Sequence, residues 1–391
     1  MKKIGIILNI PDKYTGGLNY YKNLVYAISK VNNNNSIEII LFISTTLDND
    51  YVDFFRKYSI VVKTNFINKN NIKSLLNRLF YKITNISFCN EFLIKKYNID
   101  ILTHSYYVPK LYKIKVSNWI PDFQYLHYPE LWTKKELNTT LKHHKELAEN
   151  SDSILLSSND ALKDFKSLFP HLIYKTKVIN FVSQPTITFY DDDEKIQDSL
   201  KCYTNLKPYF YLPNQFWQHK NHMVVFEAVK ILIEKGHDFR LICSGHMKDF
   251  RNNNSHIEKL INFVNINKLE EYIIFLGLIP YQDVLKLIYF SKALVNPSLF
   301  EGWSSTVEEA KSIGRLSIIS DIPIHREQSP NNCLYFNPKD SFELSQKLEH
   351  VLNSEYNVFK SFNKEELTLD LNKRTNKFGL QLLNYYTNEF I

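Results

Sequence analysis

The chain has 391 residues, 44% of them apolar, which supports two or three domains with sizeable cores and excludes a disordered or fibrous protein. Its four cysteines, Cys89, Cys202, Cys243 and Cys333, are scattered without paired spacing, so neither a zinc site nor a disulfide framework is indicated and a reducing cytosol fits. The net charge of +7 is unevenly split: residues 1–190 hold 25 Lys+Arg against 15 Asp+Glu, and residues 191–391 hold 23 against 26. The basic first half suits anionic lipid headgroups or an anionic acceptor, and a Lys- and Asn-rich codon usage accounts for it equally well. Its basic residues are dispersed rather than striped and no nucleic-acid-binding motif is visible, which counts against nucleic acid as a partner.

In chain order, residues 2–9 form a first strand; the apolar run is too short for a signal peptide and no small-residue cleavage site follows. A loop with Thr15, Gly16 and Gly17 then leads into a helix from about Leu18 to Lys30, an arrangement in which glycine lets the backbone approach an anion at the helix end. An ordinary turn explains the same pair, and the G-x-G-x-x-G spacing of a dinucleotide fold is absent. Apolar runs at 37–43, 60–66, 99–104, 116–120, 153–158 and 177–182 alternate with helical stretches such as 72–83 and 134–150, predicting a doubly wound α/β domain over 1–183. Residues 184–207, with Pro185 and the acidic run Asp191–Glu194, read as a solvated linker. The alternation restarts at 209–213 and continues through 239–244 and 272–278, predicting a second α/β domain over 208–372. A last helix over 373–391 is placed to cross back to the first domain.

Residues 294–328, LVNPSLFEGWSSTVEEAKSIGRLSIISDIPIHREQ, carry most chemistry. A buried strand ends at Pro297, an acidic loop follows, and Ser305 is a plausible N-cap with Glu308 at the capping-box spacing. Gly314 closes the helix and 316–320 is the next parallel strand. Ligands of such sheets bind at the strand C-terminal ends, where Glu301, Gly302 and free helix amides converge. Amides there suit a phosphate and carboxylates suit hydroxyls, and a nucleotide sugar offers both.

With Pro297, Ser298, Glu301, Gly302, Trp303, Glu309, Ala310 and Gly314 in register, this stretch resembles the retaining nucleotide-sugar glycosyltransferases of GT-B fold called family 4 or "group 1". The resemblance implies two Rossmann-like α/β domains facing across a cleft. It implies that Glu301 contacts the transferred sugar, that Glu309 receives the ribose hydroxyls, and that Gly302, Trp303, Ser304 and Ser305 line the donor site. In LPNQFWQHKNH the family lysine is Lys220, placed to neutralise the leaving diphosphate beside Asn214, but the family arginine position holds Gln215. An amide donates hydrogen bonds without charge, so Lys220 acts nearly alone or with His219 or His222. Gly245, after the second strand of this domain, is a further point of match, Ile279 falls where the family backbone holds the base, and Gly16 and Gly17 match the phosphate-facing loop. In WIPDFQYLHYPELW the family histidine position is Pro121, leaving Asp122 as the acceptor-side catalytic candidate and His127 as an acceptor-side specificity position, or a surface histidine. Ser157-Ser158 resembles a family serine or is an N-cap.

The implied reaction is transfer from a nucleoside-diphosphate sugar, a substrate rather than a cofactor, to a hydroxyl of a glycan or lipid-linked acceptor. Anomeric configuration is retained and no metal or other cofactor is required. The expected setting is lipopolysaccharide O-antigen or capsule synthesis, in the cytoplasm or on the inner face of its membrane. Gln215 and Pro121 leave open an inactive nucleotide-sugar-binding subunit, and the fold leaves open a nucleotide-sugar epimerase.

Overall fold

The computed structural model describes residues 1–9, 15–68, 71–185, 200–205, 207–248, 255–354 and 364–389. Most of the sequence-predicted linker 184–207, including its acidic run, lies outside them. The described residues pack into two compact units. One comprises Met1–Phe123, Lys134–Val182 and Asn372–Ile391; the other comprises Gln124–Thr133 and Ser183–Leu371.

The first unit is built on β1 (Lys2–Ile7), β2 (Ile37–Ser44), β3 (Ile60–Thr64), β4 (Ile101–Thr103), β5 (Lys115–Ile120), β6 (Ser153–Leu156) and β7 (Thr176–Val178). These pair in parallel in the order β3-β2-β1-β4-β5-β6-β7. The central strands read as continuous apolar runs because both faces of a parallel sheet are covered by helices. Ile39, Leu41 and Ile43 lie on one face of β2 and Ile40 and Phe42 on the other, and all five are buried. The first helix, Thr15–Val31, already includes Gly16 and Gly17. Neither glycine is in the left-handed region, so the expected glycine loop is instead the first turn of the helix.

The chain's end also belongs to this unit. In the helix Lys364–Asn384, Gly379 lies where an added Cβ would stand 2.1 Å from the carbonyl oxygen of Ala27, so the two helices meet backbone to backbone. Beyond it, Tyr385 shares a 2.7 Å hydrogen bond with Ser117, within β5, and Tyr386 a 3.1 Å bond with Thr103, at the end of β4.

The second unit is built on β8 (Tyr209–Leu212), β9 (Arg240–Ser244), β10 (Ile273–Gly277), β11 (Leu294–Asn296), β12 (Ser317–Ser320) and β13 (Cys333–Phe336), all parallel, in the order β10-β9-β8-β11-β12-β13. Phe210, Leu212, Phe239, Leu241, Val295 and Ile318 form its core with the helix His222–Glu234. Strand order reverses between β8 and β11, which makes their C-terminal ends the expected ligand crevice of this sheet.

Candidate active site

β11 ends on Asn296, whose side chain is fully buried and organises the loop that follows. Its Oδ1 accepts from the Ser298 amide at 3.1 Å and from Asn214 Nδ2, after β8, at 3.3 Å. Its own amide group donates to Ser304 Oγ at 2.9 Å and Thr306 Oγ1 at 3.0 Å, clamping loop residues 297–303 onto the helix Ser305–Ile313. Within that loop Ser298 Oγ donates to Glu301 Oε1 at 2.7 Å. Lys220 Nζ lies 2.6 Å from the same oxygen, with the side chains of Lys220 and Glu301 13% and 9% exposed. Lys220 stands on a single 3-10 turn, Gln218–Lys220, held by Asn221, which adopts a left-handed conformation and donates to the carbonyls of Pro297 and Pro338. The Leu299 amide donates to the His219 carbonyl at 2.8 Å, so the loops after β8 and β11 are tied by main chain as well.

Burial pushes the Glu301 carboxyl upward, but the Lys220 charge and hydrogen bond, with smaller help from His325 and Ser298, outweigh it and hold the group below its usual range. Glu301 is therefore ionised at neutral pH. His325, fully buried on the helix Pro323–Gln328, is pushed down to about 4 by burial, although the Glu301 charge opposes this. Its Nδ1 must carry the proton, because it lies 2.8 Å from the Ser320 carbonyl oxygen, which only accepts.

The N-cap of the helix Ser305–Ile313 is Ser304, one residue before the expected Ser305, and its side chain makes no cap bond. The reason is competition: Ser304 Oγ is engaged by Asn296, and its backbone by Gln328, whose Oε1 accepts from the Ser304 amide and whose Nε2 donates to the Ser304 carbonyl and to Glu308. Glu308 is thus turned to Gln328, and no capping box forms. A helix start whose amides its own cap side chain leaves alone is a site for an anion, and Lys220 adds a cation to the same loop cluster. Gly314, at φ +76°, ends the helix as expected.

Glu309 lies on the same helix, 4% exposed, and takes a 2.9 Å hydrogen bond from the Tyr281 hydroxyl. Burial raises its carboxyl to about 7, against the lowering effect of Tyr281. Two acids eight positions apart therefore differ in state at neutral pH, Glu301 charged and Glu309 divided between its two forms.

Elsewhere on this rim, the Gln215 Oε1 accepts from the His246 amide at 2.8 Å, joining the loops after β8 and β9. Gly245 has φ +146°, and a Cβ there would stand 2.4 Å from the Asn214 carbonyl oxygen, so glycine is what lets these two loops pass. His222, expected as a phosphate partner, is fully buried, stacked on Phe216 at 4.4 Å, and lowered to about 3 by burial first and by His256 and Lys220. It is neutral and supplies no charge. His219 is likewise buried.

Residues 193–369, nearly all of the second unit, match the family described as "Glycosyl transferases group 1". The second unit is a group 1 glycosyltransferase domain, and the chain has the GT-B fold. Among curated relatives, the O-antigen chain mannosyltransferase RfbU of Salmonella typhimurium is 21% identical over 308 residues, covering 77% of this chain and 79% of its own. Among solved structures, Anabaena Alr3699/HepE in complex with UDP-glucose superposes with a TM-score of 0.69 at 12% identity, covering 99% of this chain and 100% of that one. A glycosyltransferase from Rickettsia africae gives 0.64 at 16% identity, covering 100% and 98%.

In the group 1 domain, Asn214, Gln215, Lys220, Gly245, Glu301, Gly302, Trp303, Ser304, Ser305 and Glu309 all lie on or beside the C-terminal rim of one sheet, and Ile279 follows β10 on the same rim. Gly16 and Gly17, in the first helical turn after β1, and Asp122, two residues after β5, belong to the first unit. His127 packs with the group 1 domain: its exposed ring lies 5.0 Å from that of Phe300, the neighbour of Glu301, and Tyr128 donates to the Leu299 carbonyl. Ser158 is the N-cap of Asn159–Leu168, accepting from Ala161, and Ser157 accepts from the Trp119 indole. Asn296, Gln328, His325 and Tyr281 were not among the predicted site residues. An asparagine inside the apolar run LVN is the one signal that pointed to Asn296.

Proposed function

We propose that this chain transfers a sugar from a nucleoside-diphosphate sugar to a hydroxyl of a glycan or lipid-linked acceptor, with retention of anomeric configuration, in bacterial surface-polysaccharide assembly. The observation that carries the reading is the Lys220–Glu301 ion pair beside a helix start without a side-chain cap, with a buried, readily protonated Glu309 on the same helix. The relative named as an O-antigen chain mannosyltransferase and the UDP-glucose complex of HepE support the substrate class.

In this reading the diphosphate takes over the Lys220 ammonium and the amides at the Ser304–Thr306 helix start. Glu301, relieved of its lysine partner, accepts hydroxyls of the sugar. Preorganised donors aimed at a charge that develops on the leaving group are the type of catalytic effect with the largest measured contribution. Glu309 accepts the two ribose hydroxyls in its ionised form, and Tyr281 holds the carboxylate in the orientation that receives them. The acceptor proton passes to the departing phosphate oxygen, so no dedicated base is assigned; Asp122 and His127 are proposed to bind the acceptor, and Gly16 and Gly17 to contribute amides to the diphosphate.

The test is release of UDP, GDP or dTDP from a panel of nucleotide sugars, with and without a soluble acceptor. Turnover with one donor, lost in Lys220→Ala and Glu301→Ala, is expected. Binding without turnover across the panel favours an inactive subunit, the reading for which the capture of Gln215 by the His246 amide speaks.

A further inference from the structure

The helix Ile72–Thr84 is packed with its polar side inward. Ser74 is buried, Asn77 Nδ2 donates to Ser87 Oγ, Asn77 Oδ1 accepts from the Cys89 amide, and the Tyr81 ring lies 6.1 Å from that of Tyr107. These bonds fix which face meets the rest of the unit. The opposite face carries Ile72, Leu75, Leu76, Leu79 and Ile83, exposed by 75, 51, 61, 52 and 84%. Their spacing places them within an arc of about 100° on the helix. The next helix, Phe88–Lys96, begins at the Asn77 clip and adds half-exposed Phe88 and Phe92, so the outward apolar surface spans two elements.

Within its own stretch of chain the charge has one sign, and Glu146, from outside that stretch, acts on Tyr81 on the inward side of the helix. Between Asp53 and Asp100 the sequence contains nine Lys and Arg and a single acid, Glu91. Glu91 is buried, its carboxylate accepting from the Tyr107 hydroxyl and the Lys110 amide. Arg78, Lys82, Lys95 and Lys96 are exposed. No carboxylate from residues 54–99 therefore faces the solvent beside the stripe.

We propose that this face is the docking surface for an anionic phospholipid bilayer, the Ile72–Thr84 helix lying in the interfacial plane. A helix with an apolar stripe and basic flanks seats its apolar side at the headgroup boundary while the flanking cations meet lipid phosphates. A basic residue near such a surface strengthens binding about fivefold, and residues 54–99 present no exposed acid to oppose that attraction. The assignment goes beyond the transfer reading and does not depend on it, because it rests on surface chemistry in the first unit alone. If transfer to a lipid-linked acceptor is correct, docking brings the enzyme to its acceptor.

The experiment is co-sedimentation of the full chain with vesicles of phosphatidylcholine, alone or mixed with phosphatidylglycerol, without nucleotide. Wild type should pellet with the anionic vesicles and little with the neutral ones. Leu76→Glu/Leu79→Glu should weaken partitioning by about tenfold or more, and Arg78→Gln/Lys82→Gln should weaken it and flatten its salt dependence. Both variants change exposed positions, and an unchanged far-UV spectrum and melting curve verify folding. Wild type remaining in the supernatant, or equal partitioning of wild type and the Glu variant, overturns the proposal. So does light scattering showing a wild-type dimer that the Glu variant dissociates, which would assign the face to a second copy. Nucleotide release measured on the same samples in solution reports on the transfer reading separately.

Discussion

Lys220 and Glu301 form an ion pair with each other, and in the proposed reading the donor diphosphate competes with that carboxylate for the lysine. Replacing Lys220 by Met leaves a nearly buried carboxylate without its charge partner, a change that costs about 3 kcal/mol. Lys220→Met/Glu301→Gln should regain most of that stability in denaturant titration, yet both variants should lose about a hundredfold or more in kcat. Recovery of turnover in the double variant would show that the pair is structural. Glu309 makes the opposite kind of prediction. Its folded-state value of about 7 lies above the ordinary 4.5, so the folded protein holds this proton through a window where the unfolded chain has released it. The stability it contributes is full below the unfolded value and falls as pH rises through about 7. Glu309→Gln should therefore stabilise the protein at pH 8, by as much as ~3 kcal/mol, while weakening donor binding. In wild type, donor affinity should rise as pH increases through about 7, because only the carboxylate accepts both ribose hydroxyls, and calorimetric titration against pH should show that rise vanish in the Gln variant.

Among the elements, the strand–loop–helix unit around Glu301 was readable from sequence because its signals are local: an apolar run stopped by Pro297, acids eight apart, and glycine at the helix end. The return of the last helix to the first unit was also readable, whereas the side-chain details of the site that depend on a distant partner or another loop were not. The cap moved to Ser304 because Gln328, twenty-four residues downstream, holds that residue's backbone and draws Glu308 away. Asn296 ties the two loops together because Asn214, in the loop after β8, arrives from eighty-two positions earlier. His222 was credited with a phosphate role because spacing does not reveal burial. Residues 124–133 read as part of the first domain, yet they pack with the second unit through Phe300 and Leu299. Gly245 shows how the loop geometry can be tested. Its positive φ and the 2.4 Å approach of the Asn214 carbonyl leave no room for a methyl group, so Gly245→Ala should separate the loops after β8 and β9. A loss of about 3 kcal/mol or more is expected, with donor affinity reduced through Asn214 and Gln215. A variant with wild-type stability and affinity would show that the loops pass without need of glycine.

For the molecule as a whole, the chain leaves its first unit after Val182 and returns to it at Asn372, so the fold of the basic unit is completed only by residues that follow the second unit in the chain. The returning helix is specified by close approach and by polar contacts to β4 and β5. Phe378, Leu382, Tyr385 and Tyr386 are buried, and the two tyrosine hydroxyls satisfy Ser117 and Thr103 beneath them. Thr103 also shares a 2.8 Å hydrogen bond with His104 Nδ1, whose other ring nitrogen shares one with Tyr20, so the returning helix is continuous with a polar network reaching the first helix. Buried His104 is pushed down to about 3, and keeping this ring neutral requires those neighbours to stay dry. Gly379 is the position where the arrangement is most exposed to a single substitution, because a Cβ would meet the Ala27 carbonyl at 2.1 Å and neither helix backbone yields cheaply. Gly379→Ala should lift the returning helix, wet the His104 network and destabilise the first unit by about 3 kcal/mol or more. Hydrogen exchange should locate the damage, with faster exchange in Thr15–Val31, β4 and β5 and unchanged protection in the helix Ser305–Ile313. Uniform loss of protection in both units would mean that the returning helix supports the second unit as much as the first.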